Sequence, residues 1–198
     1  MKQRLLFIIF VLLVLFMWFN RTETGSYRPG IVASNMPVQQ DLDVQEQVKK
    51  DDYVLTKLAK FDIEARVLAR EDYSYGRESD LSPVDLALGW GRMSDVSVLS
   101  KISISQSGRF YYWRTDNFPI PRQEIETHSA NMHMIPANDE VADLLDDVRQ
   151  GDVVQLSGSL VKAAASDGWI WRSSLTRNDT GAGACELILV DRVTIAKR

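Results

Sequence analysis

Two histidines and one cysteine are the side chains of this sequence best suited to metal binding or catalysis. His128 and His133 are five positions apart, which would place them on opposite faces of a strand and about 140° apart on a helix. They could bind one metal ion only from an irregular loop, with a third ligand such as Asp179 or Cys185. The alternative is a structured loop in which His128 and Asn131 bond backbone groups. On that interpretation we expect no metal and no other cofactor.

Cys185, the only cysteine, is a candidate nucleophile. Its thiolate could attack a substrate while His128 or His133 accepts the proton and Asn131 orients the imidazole. The alternative is a small buried side chain, because Cys185 begins an apolar stretch. A hydrolase or transferase that uses Cys185 or a His/Asp site is therefore one hypothesis, and a domain without catalysis is the favoured one.

A run rich in hydroxyl groups precedes Cys185 and contains an arginine and an acid, Arg177 and Asp179. Arg177 and neighbouring backbone N–H groups could bind an anionic ligand. A pair between Arg177 and Asp179 in a loop between two strands explains the same residues. The run lacks the Lys-Ser/Thr ending of a phosphate-binding loop, so nucleotide binding has no support. Asn131 and Trp90, which lies between two glycines, are further candidate ligand contacts.

Aromatic residues recur at a spacing of two in two places, at Tyr111 and Trp113 and at Trp169 and Trp171. On a strand, residues two apart share one face. An exposed row of this kind would suit stacking on sugar rings such as those of peptidoglycan, whereas a buried row is core. We favour the core interpretation.

The composition excludes several classes of protein. Hydrophobic residues make up 45% and charged residues 25% of the 198 residues, the balance of a globular rather than a disordered chain. The net charge is −4, and it falls to −6 when Lys2 and Arg4 are set aside. Because a negative surface without a basic cluster repels phosphate backbones, we expect no nucleic-acid partner.

The N-terminal segment predicts a membrane anchor. Residues 5–19 are fifteen apolar residues without interruption, and Lys2 and Arg4 precede them. As a helix the run covers about 22 Å, and the cations at one end and Trp18 at the other extend its working length. A cleaved signal peptide is the alternative. The bulky residues that end the run, without a small-residue cleavage pattern, favour a retained anchor.

The charges that precede the anchor also predict its orientation. Positive flanks stay in the cytoplasm, so the rest of the chain would lie across the membrane, which in a bacterium is the periplasm. We therefore expect a single-pass protein of the bacterial inner membrane with a periplasmic C-terminal domain. The predicted organisation is a cytoplasmic tail at 1–4, a transmembrane anchor at 5–19, a tether at 20–50 and a soluble extracytoplasmic domain at 51–198.

Alternating patterns predict strands in the soluble domain. Apolar residues would share one face of a strand from 61 to 68, and charged residues the other. The apolar set is Phe61, Ile63, Ala65 and Val67, and the charged set is Asp62, Glu64 and Arg66. Further strands are predicted at 53–58, around 102–104, and at 110–113, 132–135, 153–161, 169–175 and 185–196.

Capping patterns predict helices. Ser82, Pro83 and Asp85 suit the N-cap, first and third positions of a short helix that would end at Gly89. Asn138 would cap a second helix whose apolar residues follow a helical period. Those residues are Val141, Leu144, Leu145 and Val148. A shorter helix is predicted from 121 to about 127.

The C-terminal part of the sequence indicates the fold. A strand begins after Gly151 and has Gly158 in its middle, where a glycine permits a bulge or a sharp bend. This pattern is typical of the strand that coils across two sheets in a small barrel of the OB type. The predicted fold class is α+β, mostly β: a small OB-like barrel with helical insertions, preceded by one N-terminal transmembrane helix.

Three phrases are too particular to follow from composition. They are LSPVDLALGWGRMSD at 81–95, HSANMHMIPA at 128–137 and SSLTRNDTGAGACE at 173–186. With the aromatic strand at 110–114, they resemble a family of uncharacterised bacterial proteins anchored in the membrane. The resemblance covers nearly the whole soluble domain and implies a bacterial source and an envelope location. It implies no activity and no catalytic residues.

Two hypotheses about function follow from these patterns. The favoured one is an envelope protein whose periplasmic domain binds a protein or glycan partner near the inner membrane. The alternative is an enzyme with Cys185 or a His/Asp site in that domain. The arrangement of His128, His133, Asp179 and Cys185 in space would separate the two.

Overall fold

The computed structural model describes residues 30–176 and 185–196. The predicted anchor at 5–19 and the candidate residues Arg177 and Asp179 lie outside the described residues. Within the described ranges, no helix is long and apolar enough to cross a membrane.

The described part of the chain is mostly β, as predicted, with short helices between the strands. The strands are β1 (Val38–Asp41), β2 (Gln47–Lys50), β3 (Tyr53–Asp72), β4 (Val84–Gly89), β5 (Ser103–Ser107), β6 (Phe110–Arg114), β7 (Ser129–Pro136), β8 (Val153–Ala165), β9 (Ile170–Arg172) and β10 (Glu186–Ala196). The helices are α1 (Arg77–Leu81), α2 (Val96–Leu99), α3 (Arg122–Thr127) and α4 (Asp139–Asp146), with a 3₁₀ turn at Gly91–Ser94.

β3 is one continuous strand where the sequence predicted two. Its predicted inner face is buried and consists of Phe61, Ile63, Ala65 and Val67. On the opposite face, Asp62 is exposed. The prediction that the charged face is exposed is wrong for Arg66, which is buried. Its Nε donates to the Ser94 carbonyl at 2.7 Å and its Nη1 to the Gly151 carbonyl at 3.2 Å. Backbone acceptors therefore replace water around this cation.

Five strands pair in a partial ring, in the order β3–β4–β7–β10–β8, with a further pairing of β8 to β3. β7 and β10 are parallel, and the other pairings are antiparallel. β3 takes part twice because residues 53–66 pair with β8 and residues 66–72 with β4. The first half of β3 also pairs with β1 and β2. The folded domain therefore includes residues 38–50, which fall in the range predicted as a tether.

The interior of the ring is the largest apolar cluster, and α4 packs into it. The helix begins as predicted: Asn138 caps it, with its side-chain oxygen accepting from the Val141 N–H at 2.9 Å. Val141 and Leu145 are buried, whereas Leu144 is exposed, contrary to the prediction. The short helix predicted near 121–127 is confirmed as α3.

The helix predicted from the Ser82 capping pattern is wrong. Residues 84–89 form β4, in which every residue is buried. β4 pairs with β3 on one edge and β7 on the other, so its backbone groups are satisfied by a sheet on both sides. The Ser82 hydroxyl donates to the Val84 carbonyl at 3.3 Å instead of capping a helix. Tertiary pairing overrides the local signal here.

At Gly158 the backbones of β8 and β10 approach closely. β8 continues through it, and the register of β10 shifts opposite it, between Val190 and Arg192. A Cβ added at Gly158 would lie 2.1 Å from the Leu189 carbonyl oxygen. The predicted irregularity is therefore a close backbone approach, with the bulge on the partner strand.

Candidate functional site

A cleft of about 590 Å³ opens beside β6. Its other walls come from α3, the first residues of β7 and the start of β10. Thr176 and Cys185, the described residues on either side of 177–184, also line it. Segments far apart in sequence thus meet at one concave surface, as is usual for a ligand site.

Three aromatic side chains that line this cleft, Phe110, Tyr112 and Phe118, are exposed by 39%, 53% and 54%. Grouped exposed apolar surface, unlike scattered single side chains, marks an interaction site or a ligand-binding groove. We refer to this surface as the aromatic cleft.

Tyr111 and Trp113 lie on the other face of β6, half-buried against the apolar cluster beneath the hairpin. The core interpretation of this pair holds in part, because both side chains pack on this cluster and both also line the aromatic cleft. The Tyr111 hydroxyl lies 2.9 Å from the Ser129 Oγ, which itself donates to the Ile125 carbonyl at 2.6 Å. Tyr111 is therefore the donor of the first bond. Burial raises the pKa of Tyr111 to about 12.

The floor of the aromatic cleft is polar and ordered. Asn131 is buried on β7, with its Oδ1 accepting from Gln106 Nε2 at 2.6 Å and its Nδ2 donating to the Arg109 carbonyl at 3.1 Å. The Cys185 thiol donates to the same carbonyl, with Sγ 3.8 Å from the oxygen. Asn131 and Cys185 are thus held by one backbone group of the β5–β6 turn.

A buried charged cluster lies behind this floor, centred on the fully buried Asp85 of β4. One carboxylate oxygen accepts from Arg109 Nη1 at 2.7 Å. The other lies 2.9 Å from His133 Nδ1 and accepts from Asn131 Nδ2 at 3.3 Å. The His133 contact lacks the alignment of a hydrogen bond. Asp85 is opposite His133 in the sheet register, so both side chains lie on the outer face of the ring.

Arg109 connects the cluster to the hairpin. Its guanidinium pairs with Asp85, donates to the Ser82 carbonyl at 2.9 Å, and lies 3.7 Å above the Tyr73 ring. Its backbone N–H donates to the Tyr73 hydroxyl at 2.9 Å. Burial raises the pKa of Tyr73, and the bond from the Arg109 N–H works against that shift. The β5–β6 turn is therefore bonded to the ring through both the backbone and the side chain of Arg109.

The two histidines are not brought together. His128 precedes β7, with its Nδ1 3.0 Å from Thr127 Oγ1 and its ring 6.4 Å from the Trp90 ring. His133 lies five strand residues further on, roughly 16 Å along the chain. Among the described residues, no group of three His, Cys, Asp or Glu side chains is placed to hold a metal ion.

His133 is buried against Trp171 of β9, which in turn contacts Trp169. Its ring centroid lies 4.8 Å from that of Trp171, and the Trp169 and Trp171 rings are 6.1 Å apart. Both tryptophans pack on a second apolar cluster, so the core interpretation holds for them also. Trp90, a candidate ligand contact, is buried, lines the aromatic cleft, and donates from its indole N–H to Met36 Sδ at 3.2 Å.

Sequence reasoning identified His133, Asn131 and Cys185 but missed Asp85 and Arg109. Asp85 was placed in a helix, although a strand pattern was available: the apolar residues around it would leave the acid and Ala87 on one face. Arg109 follows a glycine between two alternating runs, which is a hairpin signal but says nothing about a distant carboxylate.

No family model, curated protein or solved structure matches the chain.

Proposed function

We propose that the chain is a single-pass protein of the bacterial inner membrane, anchored by residues 5–19, whose periplasmic domain binds a protein or glycan partner without catalysing a reaction. The observation that carries the binding proposal is the aromatic cleft, where Phe110, Tyr112 and Phe118 are exposed above a polar floor. Apolar walls with a few ordered polar groups are typical of ligand sites. The apolar run and its basic flank support the membrane location.

We also infer that the partial ring is a small barrel of the OB type. Counted along the chain, its five strands pair in the order 1-2-3-5-4-1, with the third and fifth parallel. α4 lies between the third and fourth strands. Barrels of this type bind ligands on the face of the second and third strands and at neighbouring loops. In this chain the β5–β6 hairpin is inserted between those two strands and forms a wall of the aromatic cleft.

The charge distribution supports a protein or glycan partner over a nucleic acid. The charged side chains that line the aromatic cleft are of both signs: Arg114, Arg122, Glu126 and Glu186. The chain beyond the first four residues has a net charge of −6. A polyanion would gain little attraction from such a surface.

An enzyme is the alternative, and one observation favours it: Cys185 lines the aromatic cleft together with Asn131. A thiol nucleophile needs a base within hydrogen-bond reach. Among the described residues that line the cleft none is a histidine, and His133 is buried beneath Trp171. Titration of the native thiol with a disulfide reagent tests this alternative, because a slow reaction that requires denaturant removes a cysteine nucleophile.

The membrane location is tested by fusing a reporter after Arg198 in a Gram-negative host. We expect alkaline phosphatase to be active and a green fluorescent protein to remain dark, because only the first works in the periplasm. The mass of the membrane-extracted chain should be the full 22.5 kDa if the anchor is retained. A fluorescent fusion would contradict the periplasmic placement of the domain. A shorter chain would contradict the retained anchor.

The binding function is tested with the full-length chain in lipid nanodiscs. The probes are peptidoglycan disaccharides and a phage-displayed library of random peptides. We expect one class to bind, and the double variant Tyr112→Ser, Phe118→Ser to weaken that binding by about tenfold or more. Ile170→Ser is the matched control, since Ile170 is exposed on β9 and does not line the cleft. Binding by neither class, or equal loss in the control, would contradict the proposal.

A further inference from the structure

One edge of β6 is unpaired in the described part of the chain. β5 and β6 form a separate two-stranded sheet, with Phe110 opposite Ser107 and Trp113 opposite Ile104. β6 therefore uses one of its two edges for this pairing. An unpaired edge presents a row of backbone donors and acceptors that can pair with another strand.

The turn determines which backbone groups lie on that edge. Gly108 and Arg109 form a two-residue turn, and their φ angles of 59° and 70° are those of a type I′ turn. In such a hairpin, Phe110 and the residue opposite it exchange both hydrogen bonds. Because the pattern alternates along the strand, the N–H and C=O groups of Tyr111 and Trp113 point away from β5.

These groups point into the aromatic cleft. Residues 110–115 line it consecutively, as a strand does when its edge, rather than one face, borders a cavity. The Arg109 carbonyl lies on the same edge, and it accepts from Asn131 and Cys185 of the cleft floor. No other residue of 30–176 or 185–196 bonds the backbone of Tyr111 or Trp113 across this edge.

We propose, building on the binding function above, that the occupant of the aromatic cleft is an extended peptide of a partner protein, which adds to β6 as a third strand. A peptide presents N–H and C=O groups at the repeat of the open edge, whereas sugar hydroxyls do not. Main-chain bonds supply affinity in this mode, and pockets for alternate side chains supply specificity. Phe110 and Tyr112 border the cleft at that alternating spacing.

The charges at the end of β6 define the peptide further. Arg114 is 86% exposed at its side chain, and its nearest carboxylate, on Asp116, is 3.9 Å away and equally exposed. The other cation that lines the cleft, Arg122 of α3, is paired with Glu126 at 2.8 Å. Arg114 is thus the cation with the looser partner, because an exposed pair at that distance contributes little. The matching peptide has apolar residues at alternate positions and an acid at the Arg114 end.

The first test scans the peptide backbone. Peptides are selected on the full-length protein in nanodiscs, and each is then synthesised as a series with one N-methyl group at successive positions. Each N-methyl group removes a single backbone donor of the peptide and keeps the side chain. We expect the affinity to fall about tenfold at alternate positions, where the N–H faces β6, and less than about threefold between them.

The second test reverses the charge at the end of β6. Arg114→Glu should weaken a peptide with an acid at that end by about fivefold, and replacing that acid by lysine should restore binding. Arg172→Glu is the matched control, because Arg172 is an exposed strand residue outside the cleft. A charge swap without effect overturns the placement of an acid of the peptide beside Arg114.

The remaining outcomes separate this inference from the proposed function. Peptide binding with no alternation in the N-methyl scan overturns strand addition and leaves the binding function intact. Binding of disaccharides alone does the same. A dimer that pairs through this edge and that no selected peptide displaces also overturns it. Binding of neither peptide nor disaccharide overturns both proposals.

Discussion

Asp85 is a fully buried carboxylate, and its contacts offset the cost of removing it from water. Transfer of a lone carboxylate from water to a protein interior costs several kcal/mol. Here Arg109 and the Asn131 amide each donate to it, and His133 Nδ1 lies 2.9 Å away. The same contacts fix Asn131 and the turn, and thereby the floor and one wall of the aromatic cleft.

Removing this carboxylate should destabilise the domain strongly. Asp85→Ala leaves the Arg109 guanidinium, whose side chain is only 17% exposed, without its anion, so we expect a loss of about 3 kcal/mol in the free energy of unfolding. Urea titration of the purified chain measures it. Asp116→Ala, which breaks the exposed pair with Arg114, is the control and should cost less than about 0.5 kcal/mol. Equal losses would show that the buried cluster is not a stabilising unit.

Tyr111 should make the domain sensitive to alkali. Its pKa is raised to about 12 in the folded chain, against about 10 when unfolded, so the folded state favours the neutral phenol. The resulting stability is fully present below pH 10 and is lost as the pH rises toward 12. Tyr111→Phe should reduce the slope of unfolding free energy in this window by up to about 1.4 kcal/mol per pH unit. The exposed Tyr75→Phe should leave the slope unchanged, and an unchanged slope in both variants would refute the assignment.

At the scale of elements, the sequence predicted the helices and strands that are determined by their own residues. α4 has a cap, an acidic first turn and an apolar stripe, and it forms where predicted. β4 carries an equally good cap at Ser82 but lies between two strands that arrive from elsewhere in the chain. No local pattern reports that pairing, so the prediction failed there.

The candidate site could be predicted only in part for the same reason. His133, Asn131 and Cys185 drew attention by residue type. Asp85 and Arg109 are 24 residues apart in the sequence. Arg109 reaches Asp85 because it lies in the turn of the β5–β6 hairpin, which packs on the ring. Their meeting depends on topology, which composition and spacing do not encode.

Gly158 should be the least replaceable glycine of the β-structure. A methyl group there would contact the Leu189 backbone, which cannot move without separating β8 from β10, so Gly158→Ala should cost about 2 kcal/mol or more. Gly168→Ala is the control, since a Cβ there meets nothing within 4 Å and only the backbone angle of +92° opposes it, at about 1 kcal/mol. Thermal and urea unfolding compare the two variants. A smaller loss at Gly158 than at Gly168 would mean that β8 and β10 can separate at this point with little loss of stability.

At the scale of the whole molecule, the chain enters the domain beside the insertion that forms the aromatic cleft. The backbone N–H groups of Val32 and Ala33 both lie 3.2 Å from the Ser94 hydroxyl, which accepts from them. Met36 accepts from the indole of Trp90, which lines the cleft. Residues 32–36 therefore contact the same segment that carries Trp90 of the aromatic cleft.

Hydrogen–deuterium exchange on the full-length chain in nanodiscs tests the central claim, that partners bind in the aromatic cleft, most directly. The ligand is the tightest binder from the peptide and disaccharide probes. We expect it to slow exchange at 110–115 and 129–131, and to leave β9 at 170–172 unchanged, because the first two segments line the cleft and the third does not. Protection at β9, or uniform protection without a maximum at 110–115, would contradict the assignment of this cleft as the binding site.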